Sequence, residues 1–442
     1  MKITFFGATE DVTGSKYLVE HEHTKVLIDC GIFQGNEELN KRNWDPLPID
    51  PKTIDAVVLT HAHIDHTGYV PLLVKNGFKG KIYCSKATYA LCRILLIDSG
   101  AVQENNAEKE HKKPLYTRKE AEESLRYFQT VAYDSPIVLS DSLSCTLIRS
   151  GHILGSSFIV LSDGNTTLTF SGDLGRPDQI IMKSPPQLKH TDYLVLESTY
   201  GDRLHDIGDP IEQLRDIINQ TVKKGGKIII PTFAVGRAQK VLYYLYQLKQ
   251  KHTIPNIPIF LDSPMAIKVT DLYCEFPDEH KFSVKLCEDI FGIATYIHNI
   301  DDSKHIDRMK GSAIIVAGSG MADGGRIVDH FKHFISDAKN TIVFVGYQAD
   351  ETRGRDLVRG AREIGIDGKT YPVRADIKKL DMLSAHADYN EILAWLSSFG
   401  HIKQVFLTHG EIQASESLQK KIKERFGWQV VIPKYAESFE LV

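Results

Sequence analysis

The sequence predicts a mixed α/β protein in which a second α/β unit is inserted into a first domain. Short apolar strands alternate with turns over the first two hundred residues, and strands then alternate with helices as in a parallel doubly wound sheet. From about Ser384 the sequence patterns of the first part return. We therefore predict a first domain formed by residues 1–205 and 379–442, with the insertion at residues 206–378.

The length and composition indicate a folded globular protein. A chain of 442 residues has room for two or three domains at about 100–200 residues each. Hydrophobic residues make up 42% and charged residues 25%, which excludes a wholly disordered chain. No apolar run approaches the ~20 residues needed to cross a bilayer, and the first fifteen residues are typical of a strand and loop. We expect a cytoplasmic protein without a membrane partner.

Cysteine spacing and net charge restrict the function less strongly. The six cysteines include no C-x-x-C pair, which favours reduced thiols over a disulfide or cysteine–zinc framework. The formal net charge of −4 neither requires nor excludes a nucleic-acid partner, because a basic groove can lie on an acidic protein.

The elements of the first part follow from apolar runs and helix start signals. One helix is predicted from about Thr88, and another at Thr117-Arg-Lys-Glu120, which has the form of a capping box. The predicted strands are Lys2–Phe6, Val26–Ile28, Ala56–Thr60, Leu168–Ser171 and Tyr193–Leu196.

The insertion alternates strands with helices. The predicted helices are Ile211–Lys223 and Arg237–Lys249. The predicted strands are Lys227–Pro231, Ile257–Leu261, Ala313–Ala317 and Thr341–Val345, and a last strand, Gln404–Leu407, follows the insertion.

The strongest chemical signal is the cluster His61-Ala-His63-Ile-Asp65-His66, which directly follows a predicted apolar strand. Four nitrogen or oxygen ligands within six residues can converge on one point, because a chain leaving a buried strand is held rigidly. A solvated polar turn would not concentrate three imidazoles in this way. The cluster therefore predicts a metal site.

Further candidate ligands lie at strand ends elsewhere in the chain. His152 precedes a turn of small residues, whereas Asp29, Asp173 and His409 each end a strand. A single residue of this kind usually caps a strand or is solvated, so each is weak alone. Together with the first cluster they supply the ligands of a two-metal site.

We predict a dinuclear centre with a bridging carboxylate. One ion is expected on His61, His63 and His152, and the other on Asp65, His66 and His409, with Asp173 between them. Nitrogen and oxygen ligands are typical of zinc sites. Manganese and iron bind the same ligand types, so the sequence alone does not identify the metal. Such a site attracts an anionic ester and generates hydroxide at neutral pH. Asp29 is expected to orient a ligand or the nucleophile, and it is grouped with Asp65 among the catalytic residues.

On the H-x-H-x-D-H pattern of residues 61–66, the chain resembles the metallo-β-lactamase superfamily. It also resembles the β-CASP nuclease branch, which includes the cleavage-and-polyadenylation endonuclease and ribonuclease J. The features that match are Glu197 after a strand, Ser384-Ala-His386, and His409 after the last strand. This resemblance covers nearly the whole chain. It implies a metallo-β-lactamase αββα sandwich with an inserted α/β β-CASP cap domain, similar to short bacterial and archaeal RNA-degrading members.

The resemblance also implies residue roles and partners. His386 would be the general acid at the leaving oxygen, Glu197 would hold it, and Ser384 would hydrogen-bond a phosphate oxygen. It further implies two zinc ions or manganese, single-stranded RNA threaded between the catalytic domain and its cap, and a homodimer. The choice between endonuclease and exonuclease stays open.

Two strand–loop–helix segments of the insertion are candidate anion sites. They run from Ile228 to Arg237 and from Ala317 to Arg326. Glycine lets a backbone approach phosphate, and helix amino termini favour anions. The dinucleotide-binding spacing G-x-G-x-x-G fails in the second segment. The predicted substrate contacts are Arg237, Arg326 and Gly320, with Arg353, Arg355 and Lys332 as further candidates.

The motifs favour a two-metal ribonuclease over two other functions. A thioester or lactone hydrolase of the same fold has no use for Glu197, His386 and the long insertion. A non-catalytic RNA-binding subunit would have lost metal ligands, and here none is missing. DNA-repair members of the branch tend to carry valine at the position of His409.

Overall fold

The computed structural model describes residues 1–205, 208–346, 348, 351–380 and 384–442. The chain divides into two compact units: the first unit is Met1–Leu204 with Ala385–Val442, and the second unit is His205–Ser384. Residue 206, where the predicted insertion begins, lies outside the described residues. None of the described helices carries an apolar stretch long enough to span a bilayer.

The first unit consists of two sheets with flanking helices. Its strands are β1 (Lys2–Phe5), β2 (Tyr17–His21), β3 (Thr24–Ile28), β4 (Ala56–Val58), β5 (Lys81–Ser85), β6 (Phe128–Val131), β7 (Pro136–Ser140), β8 (Leu143–Arg149), β9 (Ser157–Ser162), β10 (Thr167–Phe170), β11 (Tyr193–Glu197), β20 (Gln404–Thr408), β21 (Gln429–Val431) and β22 (Ser438–Glu440). Its helices are α1 (Glu37–Lys41), α2 (Ile64–Thr67), α3 (Val70–Lys75), α4 (Lys86–Glu110), α5 (Arg118–Ser124), α13 (Tyr389–Leu396) and α14 (Ile412–Phe426), with short 3₁₀ turns at Arg42–Trp44, Pro51–Thr53 and Leu125–Tyr127.

The two sheets pack face to face and enclose the apolar core. The first has the strand order β22-β1-β2-β3-β4-β5-β6, and the second has the order β21-β20-β11-β10-β9-β8-β7. Side chains from both sheets, such as Val58 and Phe406, form one buried cluster. On the second sheet, Leu196 packs in a separate apolar cluster with Trp395 of α13 and Leu418 of α14. This arrangement confirms the predicted sandwich.

The local signals of the first unit are mostly confirmed. Thr117 Oγ1 accepts from the Glu120 amide at 3.2 Å, and Glu120 Oε2 accepts from the Thr117 amide at 2.8 Å, which completes the capping box. The helix expected from about Thr88 begins at Lys86, because the Ser85 side chain caps it by accepting from the Thr88 amide.

The second unit is a parallel α/β sheet, as its alternating pattern predicts. Its main sheet has the order β14-β13-β15-β12-β16-β19, with every pair parallel, and β17 and β18 form a separate antiparallel pair. The strands are β12 (Ile228–Pro231), β13 (Ile259–Asp262), β14 (Thr295–Tyr296), β15 (Ile314–Ala317), β16 (Thr341–Phe344), β17 (Glu363–Ile366), β18 (Lys369–Pro372) and β19 (Asp376–Lys379). The helices are α6 (Pro210–Lys223), α7 (Arg237–Gln250), α8 (Pro264–Glu275), α9 (Val284–Phe291), α10 (Ile300–Arg308), α11 (Arg326–Phe334) and α12 (Arg353–Val358), with a 3₁₀ turn at Pro277–Glu279.

A buried ion cluster lies in the second unit. Asp262, at the end of β13, contacts Arg326 and lies 2.8 Å from Nε2 of His330. Nδ1 of His330 lies 2.7 Å from Asp307. Burial by itself would lower the pKa of His330, but the two carboxylates raise it to about 9. His330 is therefore a charged core residue at neutral pH.

Lys16 is an unusual residue in the core of the first unit. Its side chain is 2% exposed, and Nζ donates to the Gly14 carbonyl at 3.2 Å. Burial lowers the pKa of Lys16 to about 7. A buried lysine must either lose its proton or retain a poorly solvated charge, so it couples stability to pH.

Replacing Lys16 with methionine should flatten the rise of stability between pH 7 and pH 9. In the native protein Lys16 releases its proton near pH 7, whereas the unfolded chain holds it to about 10.4, so its contribution to the free energy of unfolding grows by about 1.4 kcal/mol per pH unit. Methionine fills the same space without a charge. Urea unfolding at the two pH values measures the difference, and Lys119→Met, at an exposed site, is the control. Equal pH slopes in wild type and Lys16→Met would contradict the prediction.

Candidate active site

The candidate site lies at the carboxyl ends of parallel strands in the first unit. In the first sheet, β3 and β4 are parallel and are followed by Asp29 and by residues 61–66, respectively. In the second sheet, β10, β11 and β20 are parallel. Asp173 follows β10, Glu197 ends β11 and His409 follows β20. Since parallel strands bring their carboxyl ends to one edge, residues distant in sequence meet there.

The first ligand group brings together three histidines and a carboxylate. His61 Nε2 lies 3.0 Å from His63 Nδ1, and His152 Nε2 lies 3.4 Å from the same atom. Asp173 Oδ2 lies 3.3 Å from His61 Nε2 and 3.2 Å from His152 Nε2. The four ligand atoms therefore converge as the sequence predicts for one metal ion.

The second ligand group lies on the other side of Asp173. His409 Nε2 is 3.2 Å from both His66 Nε2 and Asp65 Oδ2. Asp173 Oδ1 lies 3.2 Å from His66 Nε2, while its other oxygen faces the first group. One carboxylate thus presents an oxygen to each group, which is the geometry expected of a bridging ligand.

The protonation states of the first group fit a metal centre. Burial lowers the pKa of His63 to about 3 and holds the pKa values of His61 and His152 below their usual range. These imidazoles are therefore neutral, which is the form that binds metal. Asp173 Oδ1 is buried and has no hydrogen bond of good geometry within the described part of the chain, since its approach to His66 Nε2 at 3.2 Å is an ion-pair contact only. Such an atom is costly to bury unless a cation or water satisfies it.

The second group carries the positive charge of the site. Burial would lower the pKa of His66 and of His409, but the Asp173 carboxylate raises both. Burial would raise the pKa of Asp65, but the neighbouring His66 and His409 hold it below its usual value. Divalent ions bound here would replace protons on the two histidines. The residues present therefore fit two metal ions.

Asp29 orients His66 by contacting the ring nitrogen that faces away from the other ligands. Its carboxylate accepts from the Thr60 amide at 2.7 Å and from the Thr60 hydroxyl at 2.8 Å, and it lies 2.8 Å from His66 Nδ1. This contact directs His66 Nε2 toward Asp173 and His409. Asp29 and His409 have φ angles of 56° and 50°, a conformation that is strained for residues other than glycine and typical of functional sites.

Glu197 and His386 form a pair beside the two groups. His386 Nδ1 lies 3.2 and 3.1 Å from the two carboxylate oxygens of Glu197, and the Leu174 amide donates to Oε1 at 2.6 Å. Glu197 is buried, whereas the His386 side chain is 18% exposed. The His386 ring lies 4.7 Å from the His152 ring, measured between centroids. An accessible imidazole that a buried carboxylate holds in a fixed position can transfer a proton to or from a substrate bound there.

The remaining predicted contacts belong to the second unit. Ser384 is buried and is its last residue. Arg237 donates to the Val345 carbonyl at 2.9 Å, and Arg326 donates to the carbonyls of Ile297 and His298 besides contacting Asp262. These bonds give both arginines a place within the unit, and their role in substrate binding stays a prediction.

Gly320 and the further candidates also have contacts within the second unit. A Cβ atom at Gly320 would approach the Phe233 ring to 2.6 Å, so glycine is required by packing. Lys332 lies 2.7 Å from the carboxylates of both Asp329 and Asp367. Arg353 Nε donates to the Gly365 carbonyl at 3.2 Å, and the Arg355 amide donates to the Thr352 hydroxyl at 3.2 Å.

Three residues that sequence reasoning missed contact the site. Thr60 Oγ1 lies 3.1 Å from His61 Nδ1, and Thr199 Oγ1 lies 3.1 Å from His409 Nδ1. Both hydroxyls therefore orient ligand imidazoles from the side opposite the cluster. The Tyr200 ring lies 6.1 Å from the His386 ring. Their position in the sequence could have identified them, because Thr60 directly precedes His61, and Thr199 and Tyr200 closely follow Glu197.

Fold and site together define a metallo-hydrolase of the metallo-β-lactamase class. The Metallo-beta-lactamase superfamily matches residues 10–131, the Beta-Casp domain matches residues 238–357, and the Zn-dependent metallo-hydrolase RNA specificity domain matches residues 370–433. The chain belongs to the β-CASP family of the metallo-β-lactamase superfamily. This confirms the resemblance found in the sequence motifs.

Individual relatives extend over the whole chain. Ribonuclease TTHA0252 of Thermus thermophilus is 37% identical over 99% of both chains. Transcription termination factor FttA of Pyrococcus abyssi is 32% identical and matches 100% of this chain and 71% of its own length. A crystal structure of a protein of unknown function from Enterococcus faecalis superposes with a TM-score of 0.59 at 13% identity, covering 100% of this chain and 99% of that one, and shows the shared fold.

Proposed function

We propose that this protein is a metal-dependent ribonuclease that hydrolyses phosphodiester bonds of single-stranded RNA in the cytoplasm, with two zinc ions. The observation that carries the proposal is the position of Asp173 between the two ligand groups, with Glu197 and His386 beside them. The name of the Thermus relative, a ribonuclease, supports RNA as the substrate. Imidazole and carboxylate ligands favour zinc, and manganese is the alternative.

The ligand groups would hold the two ions in different surroundings. His61, His63 and His152 would bind one ion as neutral imidazoles, and Asp65, His66 and His409 would bind the other, with Asp173 shared. Bound divalent ions supply a hydroxide nucleophile at neutral pH and compensate charge on the phosphate. Asp29 and Thr60 keep the imidazoles in position through the hydrogen bonds described above.

His386 would transfer a proton to the departing oxygen. Glu197 is hydrogen-bonded to His386 Nδ1, so Nε2 is the nitrogen that would deliver the proton. The buried Glu197 carboxylate also compensates the positive charge of the protonated ring. An alkoxide is a poor leaving group without a proton, and a positioned acid typically accelerates such a step by about 10²–10⁴-fold.

A substrate panel tests the proposal. The metal-loaded protein should cleave a 5′-labelled single-stranded RNA, lose this activity with a chelator, and regain it when zinc or manganese is added. A circular RNA in the same assay distinguishes endonucleolytic from exonucleolytic cleavage. Hydrolysis of a thioester without RNA cleavage would instead identify a small-molecule hydrolase, and RNA binding without any cleavage would identify a non-catalytic subunit. Light scattering of the same samples tests the predicted homodimer.

A further inference from the structure

Aromatic rings and basic side chains alternate from the interior of the first unit to its surface. Lys16 Nζ lies 5.1 Å from the ring centroid of Tyr69 and 4.3 Å from that of Phe33. The Arg42 guanidinium lies 4.2 Å from the Phe33 centroid and 4.5 Å from that of Tyr435. Lys16 and Phe33 are buried, whereas Tyr435 is 45% exposed. Arg42 is thus held between two rings near the surface.

The segment that carries Arg42 is anchored by a buried amide. The Phe33 amide donates to Asn43 Oδ1, and Asn43 Nδ2 donates to the Phe33 carbonyl, both at 2.8 Å. Asn43 is 4% exposed and is the middle residue of the 3₁₀ turn Arg42–Trp44. The flanking side chains of Arg42 and Trp44 are therefore presented by a fixed backbone.

The turn presents hydrogen-bond donors and an aromatic ring that are available to a ligand. Arg42 makes no side-chain hydrogen bond or ion pair with any described residue, although a guanidinium carries five donors. Trp44 is 57% exposed, whereas Trp395 and Trp428 are each 6% exposed. Lys41 beside them is already paired with Glu37 at 2.9 Å. A cation with free hydrogen-bond donors, stacked on the exposed Tyr435 ring and on the same turn as the exposed Trp44, matches the phosphate and base of a nucleotide.

The turn is connected to the candidate active site through the loop that follows β1. The Gly410 amide donates to the Asp11 carbonyl at 3.1 Å, directly after the ligand His409. In the same loop, the Thr13 hydroxyl donates to the Gln34 carbonyl and accepts from the Gln34 amide, both at 3.1 Å. Gln34 adjoins Phe33. Two short hydrogen-bonded steps therefore separate the metal ligand from the ring on which Arg42 lies.

We propose that Arg42, Trp44 and Tyr435 form an auxiliary binding site for single-stranded RNA outside the metal centre. Arg42 contacts a phosphate, and the two exposed rings stack on bases. The proposal rests on the proposed function, because RNA supplies the ligand. Base stacking on aromatic rings tolerates any sequence, so the site adds affinity for longer RNA without selecting bases.

Tryptophan fluorescence tests this site, because Trp44 is the exposed tryptophan of three in the chain. In a slowly cleaving His386→Ala background, a 20-nucleotide RNA should quench the emission. With binding now followed by the fluorescence anisotropy of a labelled RNA, adding Trp44→Ala should weaken RNA binding by about 5- to 100-fold, whereas Trp44→Phe, which keeps an aromatic ring, should retain most of the affinity. Val138→Ala, at another exposed apolar position, is the control and should bind like the parent.

Cleavage of short RNA separates this site from the metal centre. In the otherwise wild-type protein, Trp44→Ala should leave metal-dependent cleavage of a short oligonucleotide unchanged and raise KM for the 20-nucleotide RNA. Unchanged RNA affinity in Trp44→Ala, with wild-type cleavage intact, would overturn the auxiliary site alone. The auxiliary site would also be overturned if Trp44→Ala changed the oligomeric state on light scattering without losing RNA affinity. That result would identify an interface between copies of the chain. Absence of both RNA binding and RNA cleavage in the wild type would overturn this site and the proposed function together.

Discussion

Replacing His386 with alanine is expected to lower the turnover number for RNA cleavage by about 10²–10⁴-fold while both metal ions stay bound. Alanine cannot give a proton to the departing oxygen. The seven predicted ligands are other residues, and their contacts with one another do not involve His386. Single-turnover cleavage of labelled RNA, with metal content measured on the same sample, checks the expected result.

A matched substitution distinguishes proton transfer from structural damage. Glu197→Gln keeps the size of the side chain that holds His386 Nδ1 but removes its charge. This variant should lose less activity than His386→Ala, and its pH–rate profile should shift. Loss of metal from His386→Ala would contradict the assignment, because Asp173, Glu197 and His386 also lie close enough together to form a ligand group.

The Asp173→Asn variant is expected to lose metal as well as activity. Each carboxylate oxygen of Asp173 faces a different ligand group, and asparagine would place NH₂ hydrogens against one of them. Changes in residues that only support ligands typically cost 10–100-fold in metal affinity, so loss of a shared ligand should cost more than about 100-fold. Metal analysis after dialysis, with cleavage measured in parallel, checks this result.

An exposed carboxylate provides the control for Asp173. Asp141→Asn makes the same chemical change at the surface and should retain metal and activity. Circular dichroism of Asp173→Asn should show a folded protein, since the apolar core between the sheets does not depend on this residue. Two bound ions and normal turnover in Asp173→Asn would contradict a bridging role.

The sequence was most informative where chemistry is concentrated locally. Residues 61–66 hold four candidate ligands in one loop, and strand–helix alternation predicted the parallel sheet of the second unit. The capping box at Thr117 required only local rules. These features depend on residue types at short spacing, which a single sequence displays directly.

For residues distant in sequence, the identity of the candidate ligands could be predicted, but their contacts with one another could not. His66 and His409 are 343 positions apart, and their approach to 3.2 Å results from the pairing of whole strands. Residue type alone does not predict the left-handed conformations of Asp29 and His409, because aspartate and histidine are enriched in this region but adopt it in only a minority of cases. Likewise Arg326, predicted from its glycine-rich loop as a substrate contact, lies against Asp262, because the order of the sheet brings β13 beside β15.

The dependence of RNA cleavage on bound metal tests the central claim most directly. Protein freed of metal by chelation would be titrated with zinc, and the cleavage rate of a 5′-labelled single-stranded RNA would be measured at each ratio of metal to protein. A two-metal ribonuclease should be inactive without metal and reach full rate only as the second equivalent binds. Full activity in the metal-free protein, or a maximal rate at one equivalent, would contradict a shared two-metal centre.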